Sequence, residues 1–206
     1  MKLNLPNRLT VLRLCLVPIF LVFGMLPDSV IPFYVSCFIC AVLFIGTALT
    51  DMFDGKIARR DGLITDFGKF LDPVADKFMV IGALFVILHK FEQLRTAMVF
   101  VLIIIVFREL AVTSMRLVVS TGEGIVIAAN SLGKIKTVSQ IVFISTVFLE
   151  PVVEFIVELL VGGAENNAIH GIYPLTWLTM IFTVVMTVWS GVNYIAAYWK
   201  YLDPEK

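Results

Sequence analysis

The chain has 206 residues, 59% of them hydrophobic and 16% charged, with 16 basic and 16 acidic side chains and a mean hydropathy of +0.96. A soluble domain has an apolar share of about 45–50%, so this composition excludes one and places the chain in a lipid bilayer. Zero formal net charge gives no sign of a nucleic-acid partner.

Residues 3–10 predict a short amphipathic helix at the membrane interface, leading into a first apolar run at 9–26. That run is longer than a secretory h-region, carries Arg13 among its apolar residues and lacks a small-residue cleavage site. Further runs cover 32–50, 70–88, 96–119, 135–160 and 173–199. Each approaches the roughly 20 apolar residues that a bilayer core requires. Turn signals separate them, at Pro27-Asp28 and Pro32, Arg60-Asp61-Gly62, residues 89–95, Thr121-Gly122-Glu123-Gly124 and residues 162–171. None of the runs alternates apolar with polar residues as a barrel strand does. The expected fold is all-α, a polytopic membrane bundle of six transmembrane helices with a short N-terminal interfacial helix, in a single domain over residues 1–206.

Charge is distributed unevenly along this pattern. Lys2, Arg8 and Arg13 open the chain, Lys56, Arg59, Arg60 and Lys69 bracket the second connection, and Arg116, Lys134 and Lys136 bracket the fourth. The other side has Lys90 and Arg95 against Asp28, Glu92, Glu150, Glu154, Glu158 and Glu165. Basic residues favour the cytoplasmic side, which predicts that both termini and the second and fourth connections face the cytoplasm. Cys15, Cys37 and Cys40 all fall in predicted spans, where the Cys37/Cys40 spacing has no zinc or redox context, so packing roles are expected. His89 and His170 are expected in outer loops, as surface residues.

The second and third runs carry the chemistry. Asp51 and Asp54 stand three apart, Asp72 and Asp76 four apart, so each pair projects from one face of a helix. Ionisable groups at membrane depth are costly and functional by default, and four acids need cations to be tolerated. Carboxylate oxygens without nearby cysteine or histidine suit Mg2+ or Mn2+, and two such ions can clamp a phosphoryl group. Gly55 and Ala58 share the face of Asp51 and Asp54, leaving room for a phosphorylated ligand, and Arg59 can neutralise its oxygens. The plainer alternative has the acids capping helices or solvating a loop. It leaves the paired helical spacings and the small residues between them without a reason.

The segment Asp51-x-x-Asp54-Gly55-x-x-Ala58-Arg59, followed by Gly68-x-x-x-Asp72-x-x-x-Asp76, resembles the signature of the CDP-alcohol phosphotransferase family at every motif position. The resemblance implies a six-helix membrane enzyme, usually a homodimer, that moves a phosphatidyl or similar group from a CDP-linked donor to an alcohol and releases CMP. It also implies that Asp51, Asp54, Asp72 and Asp76 hold two divalent cations and that Asp76 accepts the proton of the attacking hydroxyl. Gly55, Ala58 and Arg59 would face the CDP moiety, with Gly68 giving it clearance. Pro6-Asn7-Arg8-Leu9-Thr10-x-x-Arg13 is similar to the family's opening segment, which makes Asn7 and Thr10 candidate CDP contacts, although Pro-Asn is equally a helix-start signal.

Acceptor choice falls to the second half. Arg108 and Arg116 are eight residues apart, about two turns, and Lys134 and Lys136 follow in Leu132-Gly133-Lys134-Ile135-Lys136-Thr137, so the four can converge on a phosphate. The alternative pairs Arg108 with Glu109 and leaves the other cations as positive-inside anchors. With residues 66–77, these segments resemble family members that join CDP-diacylglycerol to sn-glycerol 3-phosphate, implying a phospholipid-synthesising enzyme of a bacterial cell membrane. Members taking phosphatidylglycerol, as cardiolipin synthases do, or inositol phosphate share the aspartates and remain alternatives. A cation transporter could use the same acids, but it leaves Gly55, Ala58 and Arg59 without a role and would ordinarily show paired inverted repeats.

Overall fold

In the computed structural model, residues 5–60, 65–122, 131–161 and 173–199 are described. They form six α-helices, α1 Leu5–Met25, α2 Phe33–Arg60, α3 Asp66–Lys90, α4 Arg95–Gly122, α5 Ser131–Val161 and α6 Pro174–Tyr198, with a 3-10 turn, Glu92–Leu94, between α3 and α4. The shortest helix has 21 residues and the longest 31. At about 1.5 Å per residue every one reaches roughly 30 Å or more, the thickness of a bilayer core. Five are also apolar enough to cross a membrane. The exception, α3, matches them in length but carries Asp72, Asp76 and Lys77 in its first half.

The outside of the bundle is apolar. Val22, Phe38, Phe100, Phe107, Leu159 and Leu178 are each more than half exposed, on five different helices. Water would not tolerate so much apolar surface, whereas a helix with all its backbone bonds made internally is at home in lipid. The protein is an integral membrane protein.

Within the bundle α1 packs on α2 and α3, α5 on α2 and α6, and α4 on α3 and α6. Phe91, just beyond α3, holds the end of the bundle remote from Asp72, with ring centroids 5.5 Å from Phe33, 6.0 Å from Phe148 and 5.9 Å from Tyr173. At the same end the Glu150 carboxylate accepts from the backbone N–H groups of Leu175 at 2.9 Å and Thr176 at 2.8 Å, satisfying two orphan donors of α6. Cys37 and Cys40 are fully buried, in the packing roles expected of them, whereas Cys15 is exposed on the outer face of α1 and packs against no core.

Some boundaries differ from expectation. Residues 3–10 do not make a separate interfacial helix within the described chain: from Leu5 on they are the first turns of α1, which runs unbroken to Met25. The reason is that Asn7, Thr10 and Arg13, three residues apart, all bond to α2 or α3 from one face, which requires a continuous helix. Likewise α4 extends into the predicted turn as far as Gly122, the rest of that turn lying outside the described residues, and His89 lies in the last turn of α3 rather than in a loop. His170 lies outside the described residues.

Candidate active site

The acidic side is assembled where α1 crosses the start of α3. Thr65 caps α3, its hydroxyl accepting from the N–H of Gly68 at 3.1 Å, and Asn7 Nδ2 donates to the same hydroxyl at 2.9 Å. One turn along α1, Thr10 Oγ1 donates to Asp72 Oδ1 at 2.6 Å. One turn further, Arg13 Nη1 lies 2.7 Å from Asp51 Oδ1 and 3.1 Å from Asp76 Oδ1. Arg13 is 1% exposed, while the Asp51 and Asp76 side chains are 43% and 52% exposed. A buried guanidinium thus gathers two open carboxylates from different helices.

Several expected contacts take a specific form here. Asn7 and Thr10, candidate nucleotide contacts, are buried and bonded to the first turns of α3. The clearance at Gly68 is filled by Asn7, because a Cβ at Gly68 would stand 2.9 Å from Asn7 Oδ1. Asp54, Gly55, Ala58 and Arg59 lie on the last two turns of α2, with side chains outside the described residues. Arg13, which the sequence marks as an orienting basic residue and as a charge amid an apolar run, is here a part of the site itself.

Whether divalent cations fit can be judged from the donor set. Among the described residues no three acidic, thiol or imidazole groups close on one point as a complete metal shell. Mg2+ does not demand one, since it keeps several waters and binds through one or two carboxylates plus substrate phosphates. Asp51, Asp72 and Asp76 offer only oxygen donors, and the one guanidinium between Asp51 and Asp76 leaves an excess of negative charge. The residues present fit such ions.

The basic side lies between α4, α5 and α6. Arg108 Nη2 donates to Ser190 Oγ at 2.7 Å, and Arg116 Nε donates to Tyr194 OH at 2.8 Å with its guanidinium 5.3 Å from the Tyr194 ring centroid. Gly191 makes this approach possible, since a Cβ there would stand 3.2 Å from Arg108 Cγ. The Glu109 carboxylate pairs with Arg108 at 3.4 Å and also with Lys136. The local Arg108–Glu109 pairing therefore exists, but within a convergent cluster. All four predicted cations, Arg108, Arg116, Lys134 and Lys136, line one cleft of about 410 Å3. One carboxylate against four cations suits an anionic guest.

A second cleft, of about 310 Å3, joins the two sides. Asp72, Asp76 and Lys77 form one wall and Glu109, Arg116 and Lys136 the other, and the latter three also line the first cleft. A partly exposed acid cluster thus adjoins a cationic cleft. The CDP-alcohol phosphatidyltransferase profile matches residues 3–189, spanning both sides. The chain belongs to this family. As a CDP-alcohol phosphatidyltransferase it is similar over its full length to known proteins. One from Bacillus subtilis is 40% identical and one from Yersinia enterocolitica 32% identical, each over 97% of both chains. A third, from Wigglesworthia glossinidia brevipalpis, is 38% identical over 70% of this chain and 76% of its own. All three are named CDP-diacylglycerol–glycerol-3-phosphate 3-phosphatidyltransferase. Family membership makes the protein an enzyme that transfers a phosphatidyl group, and apart from Ser190 and Tyr194 the polar residues of both clefts lie within the matched region.

Proposed function

We propose that this enzyme transfers the phosphatidyl group of CDP-diacylglycerol to sn-glycerol 3-phosphate, giving phosphatidylglycerophosphate and CMP. The observation that carries this reading is the joining of the aspartates to a four-cation cleft through shared walls at Glu109, Arg116 and Lys136. An acceptor with a phosphate at one end and a hydroxyl at the other matches that layout. The names of the similar proteins support the same pair of substrates.

Asp51, Asp54, Asp72 and Asp76 would hold two divalent cations, Mg2+ or Mn2+, which when bound supply electrostatic stabilisation to the diphosphate. Arg108, Arg116, Lys134 and Lys136 hold the acceptor phosphate by charge-assisted hydrogen bonds. Asp76 takes the proton from the acceptor's terminal hydroxyl. The hydroxyl oxygen forms a bond to the lipid-side β-phosphorus as the bond from that phosphorus to the CMP oxygen breaks. Gly55, Ala58 and Arg59 border the CDP moiety, while Asn7, Thr10 and Gly68 set the position of α3 beneath it. The charge asymmetry supports an active site and both termini on the cytoplasmic side. A homodimer is the assembly that the family resemblance supports.

The test is an acceptor panel with the purified full-length protein, CDP-diacylglycerol and Mg2+ or Mn2+, scored by CMP release and lipid product. sn-Glycerol 3-phosphate should be used efficiently, and glycerol, lacking the phosphate, poorly. Arg116→Ala and Lys136→Ala should each raise the apparent KM for glycerol phosphate about ten- to a hundredfold, the worth of one charge-assisted hydrogen bond. Dependence on CDP-diacylglycerol should change much less. Efficient use of phosphatidylglycerol instead of glycerol phosphate would overturn the acceptor in favour of a cardiolipin-synthase activity.

A further inference from the structure

Between the acid wall and the phosphate cleft lies Gln140, to which neither the sequence signature nor the roles above give a task. It is 1% exposed, yet its Nε2 finds no hydrogen-bond acceptor in the protein. Leaving a buried amide donor unmade is costly, so such a group in a native fold calls for a partner. Gln140 also lines the joining cleft, with Asp76 and Lys136. On α5 it stands four residues, one turn, beyond Lys136, on the same face. Its position is therefore one step from the phosphate-binding end and in the cavity of the proton acceptor.

We propose that Gln140 is a specificity-determining residue that donates a hydrogen bond from Nε2 to the central hydroxyl of the acceptor. This rests on the reading of the acceptor as sn-glycerol 3-phosphate. That molecule has three polar stations in a row: the phosphate, a secondary hydroxyl and the primary hydroxyl that attacks. Arg108, Arg116, Lys134 and Lys136 serve the first and Asp76 the third. The second needs a neutral group on the wall between them, and a donor amide meets a hydroxyl lone pair there without adding charge. A site built around a substrate hydroxyl rejects the analogue that lacks it, because the buried protein donor is then left unpaired.

3-Hydroxypropyl phosphate is the probe, since it keeps the phosphate and the primary hydroxyl and lacks only the central one. Wild-type enzyme should prefer sn-glycerol 3-phosphate over it in kcat/KM by about five- to a hundredfold. Gln140→Met, which keeps the length of the side chain and loses the amide, should forfeit most of that preference. It should do so by raising KM for glycerol phosphate while leaving kcat/KM for 3-hydroxypropyl phosphate within about twofold, and Gln140→Asn should recover part of the preference. Equal use of both acceptors by the wild type would overturn the proposal without any variant. So would a Gln140→Met enzyme in which both acceptors fall by the same factor, the mark of a packing role. If the wild type does not use glycerol phosphate at all, the acceptor reading itself fails and Gln140 falls with it.

Discussion

Each side of the site has a residue of opposite charge at its centre, Arg13 among the aspartates and Glu109 among the cations, but the two are set differently. Arg13 is buried and comes from a separate helix, while its partners Asp51 and Asp76 remain about half open, at 43% and 52%. Glu109 shares α4 with Arg108 and is 16% exposed, and its partners Arg108 and Lys136 are just 12% and 4% exposed. The acid side therefore hides its counter-charge and offers its ligands to solvent. The basic side buries two of its ligands along with the counter-charge, so a guest must enter the cleft and compete with Glu109 for them. Bringing a phosphate into such a place exchanges one anionic partner for another, which lessens the desolvation cost that burying a bare charge would carry. The difference teaches two kinds of preorganisation: a buried clamp that leaves the acid ligands open to cations, and a surrogate anion that an anionic guest displaces on the basic side.

The largest effect should come from removing the proposed proton acceptor from the open side. Asp76→Asn keeps the shape and an oxygen for Arg13 to bond, but an amide cannot take the hydroxyl proton. Loss of a general base lowers kcat by about a hundred- to ten-thousandfold. CDP-diacylglycerol binding, measured separately by equilibrium binding in the presence of Mg2+, should be largely retained. Near-normal turnover by this variant at saturating metal would assign the proton to another group and reduce Asp76 to a structural anion.

Next in size is the loss of the clamp. Arg13→Met leaves Asp51 and Asp76 facing each other without their shared cation. Breaking a fully buried pair costs about 3–5 kcal/mol, and because both carboxylates are half open to solvent the expected cost here is about 1–2 kcal/mol. For a domain of this size that is a fall in thermal midpoint of several degrees, about 2–4 °C per kcal/mol. Added Mg2+ should restore more stability to Arg13→Met than it adds to the wild type, since it would supply the missing positive charge. A variant as stable as wild type without Mg2+ would show that the Arg13 clamp adds nothing to the hold of α1 on its neighbours. The difference between the two sides would then lose its basis.

How much of this was legible beforehand follows the same division. The helices were readable because each apolar run is long enough to cross a bilayer, and the aspartates because each pair lies within one turn of one helix. The cationic cleft was readable only as four cations in neighbouring segments, and the residues that aim them were not. Arg108 reaches Ser190 across 82 positions and Arg116 reaches Tyr194 across 78, pairings that depend on how α4 crosses α6. Arg13 was visible as a charge in an apolar run, but its partner Asp76 lies 63 positions away. Nor did composition disclose that the opening segment belongs to a continuous α1, because the constraint is its bonds to α2 and α3 and not its own amphipathicity.

The smallest predicted effect tests that aiming directly. Tyr194 offers Arg116 two things, a hydroxyl that accepts from Nε at 2.8 Å and a ring 5.3 Å from the guanidinium. Tyr194→Phe removes the first and keeps the second. A single hydrogen bond in a partly open site contributes about 1 kcal/mol, so KM for glycerol phosphate should rise about fivefold with kcat and the KM for CDP-diacylglycerol unchanged. Tyr194→Leu removes the ring as well, and a cation–π contact at an exposed position adds about 0.5–1 kcal/mol, a further two- to fivefold. The order wild type, Phe, Leu should disappear in an Arg116→Ala background, where there is no guanidinium left to aim. If the steps persist there, Tyr194 acts by packing against α4 and not through Arg116. If they are absent in the wild-type background, the basic side holds Arg116 through the guest phosphate instead of preorganising it, and the contrast with the clamped acid side becomes sharper.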